Sequence, residues 1–98
     1  MEYYDFRNKI TKYEGFDVHR ERRLDPESYQ PIYATIVTYH DSSYFTIDDS
    51  QVEHLVLSSM LGTQTYKGVF LETLQLAIEY ARTPIIDRNL KNVNVDEG

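Results

Sequence analysis

The chain has 98 residues, which is the size of one domain with one modest core. Hydrophobic residues make up 41% and charged residues 27%, so the composition excludes a chain that is disordered throughout. It contains no cysteine, which excludes disulfides, thiolate nucleophiles and cysteine-based zinc sites. Because no apolar run approaches the roughly 18 residues that span a bilayer, we expect a cytoplasmic protein with no membrane partner.

The net charge of −6 comes from one part of the chain. No Lys or Arg occurs between Leu24 and Tyr66, and the remaining acids equal the ten bases in number. Since phosphate contacts depend on clustered Lys and Arg, this region disfavours nucleic acid. The acids that lie there are Asp25, Glu27, Asp41, Asp48, Asp49 and Glu53.

The first two predicted elements are a helix and a strand. Over Glu2–Glu14 the apolar residues recur at intervals of three, four and three, which predicts an amphipathic helix that ends at the following glycine. Phe16–Leu24 alternates in polarity and predicts a strand. Arg20 and Arg22 lie on its apolar phase, which is typical of an edge strand whose far half leaves the core.

Ile32–Ile47 (IYATIVTYHDSSYFTI) predicts a β-hairpin, because two alternating segments flank a turn signal. A turn at Asp41 and Ser42, or at His40–Ser43, sets Val37 opposite Thr46. We expect one face to enter the core with Ile32, Ala34, Ile36, Phe45 and Ile47. The other face is a tyrosine and threonine surface of Tyr33, Thr35, Val37, Tyr39, Tyr44 and Thr46.

Two helices are predicted after the hairpin. Asp49 or Ser50 can cap the first, which ends at Gly62. Part of that segment, Val52–Leu57, also fits a fourth strand, since periodicity does not decide a short apolar run. The second helix spans Gly68–Arg82 and ends before a proline. Its predicted apolar stripe contains Val69, Phe70, Thr73, Leu74, Ala77, Ile78 and Ala81.

The order of elements predicts an α+β fold. We expect a small antiparallel three-stranded meander with an N-terminal helix and two C-terminal helices, in the order α-β-β-β-α-α. Residues 1–88 form the single predicted domain, and residues 89–98 are predicted to be a flexible acidic tail.

No catalytic or metal-binding pattern is visible in the sequence. His19, His40 and His54 lie far apart and match no metal-binding spacing, so we expect no metal site. The glycines are isolated, which gives no phosphate-binding loop and no expected cofactor. Asp48 and Asp49 are better explained by capping than by acid-base chemistry. We therefore expect a protein that is not an enzyme.

The tyrosine face of the hairpin is the strongest candidate for a binding surface. Tyrosine offers a large, rigid and amphipathic contact, and the surrounding acids would steer a basic protein toward it. An alternative stays open, in which the first helix packs across this face and buries it. The predicted partner-binding residues are Tyr33, Tyr39, Asp41, Tyr44, Asp48, Asp49 and Glu53.

Two other functions remain as alternatives. A single-stranded nucleic-acid-binding accessory protein would use Arg20, Arg22 and Arg23 together with the hairpin aromatics. A small structural or oligomerisation protein would use the exposed tyrosines and helix stripes in a homo-oligomer.

The end of the last helix and its exit, AIEYARTPIIDR (Ala77–Arg88), resembles the close of many short uncharacterised proteins of bacteriophages of Gram-positive bacteria. Small size, acidity, many tyrosines and the lack of cysteine are also similar to proteins with which phages block host enzymes, including anti-CRISPR proteins. Several of these inhibitors imitate DNA. The resemblance implies an inhibitor of a basic, nucleic-acid-binding host or defence protein in the host cytoplasm, and it supplies no site residues.

Overall fold

A computed structural model describes residues 1–24, 28–57 and 67–96 of the chain. Its strands form one antiparallel sheet in which neighbours in sequence are neighbours in space. Two helices pack against each other and against this sheet. The elements in chain order are α1 (Tyr3–Ile10), β1 (Phe16–Leu24), β2 (Pro31–Tyr39), β3 (Ser42–Asp48), β4 (Leu55–Leu57), α2 (Lys67–Ala81) and a 3₁₀ turn (Ile85–Arg88).

The α+β class is correct, but the prediction of three strands and two C-terminal helices is wrong. The segment after β3 contains a fourth strand, in which Leu55 pairs with Ile47 and Leu57 pairs with Phe45. The alternative of a strand within Val52–Leu57 is therefore confirmed for its last three residues. The run pairs its backbone with the edge of β3, although Val56 and Leu57 stay about half exposed. The rest of the predicted helix, up to Gly62, lies outside the described residues.

The β2–β3 hairpin is present, but its register differs from the predicted one. The turn consists of His40–Asp41, both with positive φ (48° and 68°), as a type I′ turn requires. A β-bulge follows in β3 with Tyr44 as the extra residue, so Val37 faces Phe45 and not Thr46. Because side chains alternate along a strand, this shift of one residue places Phe45 and Ile47 on the face of Thr35 and Val37 instead of the face of Ala34 and Ile36.

Ala34 and Ile36, which the sequence assigned to the core, are fully buried on one face of β2. The apolar cluster that packs against the helices lies on the other face, which the sequence assigned to tyrosine and threonine. Val37 and Thr35 are fully buried there beneath the helices, and Tyr44 is buried beside them. The alternative in which α1 covers and buries this face is therefore correct only in part, since Tyr44 is buried but Tyr33 is 43% exposed. The buried apolar cluster consists of Tyr3, Phe6, Ile10, Phe16, Val18, Val37, Tyr44, Phe45, Ile47, Ala77, Tyr80 and Ala81.

Each helix buries the stripe that its spacing indicates, with one exception. In α1 the predicted residues Tyr3, Phe6 and Ile10 are buried, although the helix is shorter than predicted. The exception is Ile78 in α2, which was predicted to be buried but is 39% exposed. Tyr80, which was not part of the predicted stripe, is fully buried. The Tyr80 ring stacks on Phe6 with ring centroids 4.5 Å apart.

Part of the predicted tail, residues 89–98, is bound to the domain. Leu90 and Val93 pack against the core cluster. The amide nitrogen of Asp96 donates a hydrogen bond to the carbonyl oxygen of Arg20 at 2.8 Å, which adds a parallel bridge to the outer edge of β1. This contact covers part of an edge that would otherwise be open to strand pairing.

Gly15 and Gly68 are expected to respond oppositely to substitution by alanine. Gly15 has φ of 86°, and an added Cβ would lie 2.9 Å from ring atoms of Tyr39 and His40. We expect Gly15→Ala to lower the free energy of unfolding by about 1 kcal/mol or more. Gly68 lies in a helix with no atom within 4 Å of an added Cβ, so Gly68→Ala should raise stability by about 0.5 kcal/mol. Urea denaturation of both variants checks the two signs.

Candidate functional site

A buried carboxylate holds the centre of the molecule together. Asp49 follows β3 directly, and its side chain is only 1% exposed. One carboxylate oxygen accepts from Arg20 Nε at 2.8 Å and the other from Arg88 Nη1 at 3.1 Å. The Thr35 hydroxyl donates to the same carboxylate at 2.9 Å, and the Tyr80 hydroxyl lies 3.4 Å from it. We call these five residues the Asp49 cluster.

Arg88 connects the Asp49 cluster to the ends of three elements. Its guanidinium donates to the carbonyl oxygens of Asp48 (2.8 Å), Ala81 (2.8 Å) and Thr83 (3.1 Å). The side chain is fully buried, and its guanidinium carbon lies 5.0 Å from the centre of the Tyr80 ring. Together with its bond to Asp49, these contacts give acceptors to four of the five N–H groups, which offsets most of the cost of burying the charge.

The tyrosines beside the Asp49 cluster are hydrogen-bond donors rather than proton acceptors at neutral pH. Burial raises the pKa of Tyr80, and the Asp49 carboxylate raises it further. Burial also raises the pKa of Tyr3 to about 12. Both phenols therefore stay protonated at neutral pH and lie near the Asp49 carboxylate as neutral hydroxyls.

The predicted partner-binding residues do not form one patch. Tyr44, Asp48 and Asp49 are buried, and Tyr39 is partly buried in the aromatic cluster at the hairpin turn. The exposed members are separated along the sheet: Asp41 lies in the β2–β3 turn, Tyr33 lies near the start of β2, and Glu53 lies beside the end of α2. Glu53 is bound to Arg82 at 3.7 Å.

Two of the three arginines in the predicted nucleic-acid site are engaged within the protein. Arg20 is bound to the Asp49 carboxylate. Arg23 is bound to Glu21 at 2.8 Å, and His19 and Arg23 together lower the pKa of the Glu21 carboxyl, His19 having the larger effect. Arg22 is exposed and forms no ion pair with any described residue.

The first two strands extend beyond the rest of the sheet. β2 pairs with β3 only from Ala34 onward, although the Tyr33 carbonyl oxygen also accepts a hydrogen bond from the Asp49 amide at 2.9 Å. Among the described residues, Pro31 and Ile32 therefore pair with β1 alone. Tyr33 lies opposite Arg22, and Pro31 lies opposite Leu24. We call residues 22–24 and 31–33, with the exposed Tyr29 of their connection, the β1–β2 ribbon.

The β1–β2 ribbon displays three large apolar side chains to solvent. Leu24 is 66% exposed, Tyr29 is 76% exposed and Tyr33 is 43% exposed. The Arg20 guanidinium lies 5.6 Å from the centre of the Tyr33 ring and supports one face of it. Since cross-strand neighbours share a face, Arg22 lies beside Tyr33. Tyr33 of the predicted partner-binding surface and Arg22 of the alternative nucleic-acid site therefore lie side by side.

Tyr29 is held in a strained conformation as well as being exposed. Its φ of 57° is in the left-handed region, which costs a residue other than glycine on the order of 1 kcal/mol. Neither Tyr29 nor Leu24 was among the site residues predicted from the sequence. The available signal was a bulky aromatic residue in a proline-containing loop, where small polar residues are usual.

No protein family, curated protein or solved structure matches this chain. Among the described residues, no group of three or more His, Asp or Glu side chains is arranged to hold a metal ion. The same part of the chain includes no helix with the length and apolarity that a membrane crossing requires. A proposal for function therefore depends on the geometry of the exposed surfaces.

Proposed function

We propose that this protein is a non-enzymatic binding protein that anchors to a partner protein through the β1–β2 ribbon. The observation that carries the proposal is Tyr29, which is 76% exposed and held at φ of 57°. Strain at a solvent-exposed aromatic residue is disfavoured for a simple connection and common at binding sites. Leu24 and Tyr33 add exposed apolar area on the same ribbon, and aromatic anchors of this kind dominate binding energy at protein interfaces.

A protein partner is favoured over nucleic acid because the ribbon has little free positive charge. Arg20 and Arg23 are bound to carboxylates, which leaves Arg22 as the ribbon's exposed cation without an ion pair among the described residues. The whole chain carries a net charge of −6, which repels phosphate and steers a basic protein toward it.

The specific form of this proposal is an inhibitor of phage or mobile-element type. It would act in the host cytoplasm on a basic, nucleic-acid-binding host or defence protein, as the resemblance of Ala77–Arg88 implies. Imitation of DNA would then involve the exposed acids, because Asp48 and Asp49 are buried in the structure.

Site-specific photocrosslinking tests the proposed surface. The photoreactive amino acid p-benzoylphenylalanine is placed at Tyr29 in one preparation and at Ile86 in another, and each is irradiated in a lysate of a Gram-positive bacterium. Ile86 is a matched control, since it is apolar and 88% exposed but lies outside the ribbon. We expect an adduct with a basic protein at position 29 that is absent at position 86 and is lost when Leu24→Ser is added.

Two results would contradict the proposal. Identical adducts at positions 29 and 86, or adducts that Leu24→Ser leaves unchanged, would show that the ribbon is not the binding surface. The second contrary result is that a labelled oligothymidylate binds saturably, in a salt-sensitive way that Arg22→Ala abolishes. That result would show that the partner is single-stranded nucleic acid and not a protein.

A further inference from the structure

The outward face of α2 carries a second exposed apolar row, separate from the ribbon. Leu71 is 55% exposed and Ile78 is 39% exposed, and they lie seven residues apart on the same side of the helix. Gln75 and Arg82 lie in the same row. From Leu71 to Gln75, Ile78 and Arg82 the intervals are four, three and four, as for alternating d and a positions of a coiled coil. Leu71 and Ile78 occupy d, and Gln75 and Arg82 occupy a.

A groove beside this row offers room for side chains of a second helix. It has a volume of about 350 Å³ and lies along the last two turns of α2 and the two residues that follow the helix. In coiled coils each apolar side chain of one helix enters such a hole on the facing helix. The groove is lined by Gln75, Ile78, Glu79, Arg82 and Thr83.

The charges that flank the row are negative. With Leu71 and Ile78 at d, both Glu72 and Glu79 fall at e, where charged pairs between helices form. Both glutamates are exposed, so their carboxylates are available to a partner helix. The positive charge of Arg82 in the row is balanced by Glu53 at 3.7 Å.

These charges decide which kind of helix fits the row. In an antiparallel pair of two copies of this chain, Glu72 of one copy would face Glu79 of the other, and like charges at e disfavour that pairing. In a parallel pair of two copies, the glutamates would face Leu74 and Ala81, which offer no charge. A partner helix with Lys or Arg at the positions that face Glu72 and Glu79 forms an ion pair with each glutamate.

We propose that the outward face of α2 binds a basic amphipathic helix of a partner protein. Leu71 and Ile78 pack against apolar residues at a and d of that helix. Glu72 and Glu79 pair with its Lys or Arg side chains, which fixes its orientation and register. The proposal is independent of the β1–β2 ribbon, because none of the residues in the row or its flanks belongs to the ribbon.

Binding of two designed peptides to the full chain tests this proposal. Each labelled peptide has three heptads with Leu at a and d, and one carries Lys at e and g where the other carries Glu. Fluorescence anisotropy should show that the Lys peptide binds at least about tenfold more tightly and that added salt weakens it. Ile78→Ser should weaken the Lys peptide by about tenfold, since it removes the central apolar contact and leaves the buried core intact.

Charge reversal separates binding at the row from general attraction to an acidic protein. With Glu72→Lys and Glu79→Lys together, the chain should prefer the Glu peptide. Tyr29→Ser, on the ribbon, should change neither peptide's affinity, so failure here is distinguishable from failure of the proposed ribbon function. Equal binding of both peptides, no binding of the Lys peptide, an unchanged preference after charge reversal or an unchanged affinity after Ile78→Ser would overturn the proposal.

Discussion

Asp49→Asn is expected to lower the free energy of unfolding by about 3–5 kcal/mol, because it leaves two buried guanidinium groups without a counter-charge. Arg20 and Arg88 both donate to the Asp49 carboxylate, whose side chain is 1% exposed. Asparagine keeps the size of the side chain but loses the negative charge. Domains of this size are stable by only about 5–15 kcal/mol, so the variant should unfold at much lower urea concentration.

A matched control removes the same charge from the surface. Asp41→Asn lies in an exposed turn at φ of 68°, a conformation that asparagine tolerates, so its stability should change by less than about 0.5 kcal/mol. Adding Arg20→Met to Asp49→Asn should cost less than the sum of the two single changes, because it removes one uncompensated charge. A loss for Asp49→Asn similar to that of the control would show that the arginines reach solvent.

Phe6→Ala is expected to cost about 3–5 kcal/mol, since it leaves a cavity between α1 and α2. Phe6 is fully buried, and its ring stacks on that of Tyr80 with an interplanar angle of 11°. Thermal unfolding followed by circular dichroism measures the effect. Tyr4→Ala, in the same helix, removes a ring that is 48% exposed and should cost much less. Equal losses in the two variants would show that α1 contributes through its helical structure and not through packing at Phe6.

The boundaries of β1 and the buried residues of α1 illustrate what local patterns predict well. Phe16–Leu24 is a strand over the range that its alternation indicates, and Tyr3, Phe6 and Ile10 are buried as their spacing requires. In both segments the pattern repeats over several residues, and one face of the element meets the core along that length.

The candidate site was predicted much less well. Tyr33 and Arg22 were assigned to two competing functions, and the register of β1 and β2 places them opposite each other. Asp49 was predicted as a helix cap and as a steering charge of the binding surface, but it is the buried centre of an ion-pair cluster. Its arginine partners lie 29 and 39 residues away in the chain, and no local pattern indicates contacts at such separations.

The sequence by itself determined the α+β class, the position of the first three strands, the helix α2 and the excess of negative charge. Tertiary structure decided the hairpin register, the fourth strand and the neighbours of each buried charge. A bulge at Tyr44 places Phe45 and Ile47 on the same face as Val37 and Thr35, whereas simple alternation placed them with Ala34 and Ile36. Register and ion pairing depend on contacts between distant segments, and their energies exist only once those segments are packed together.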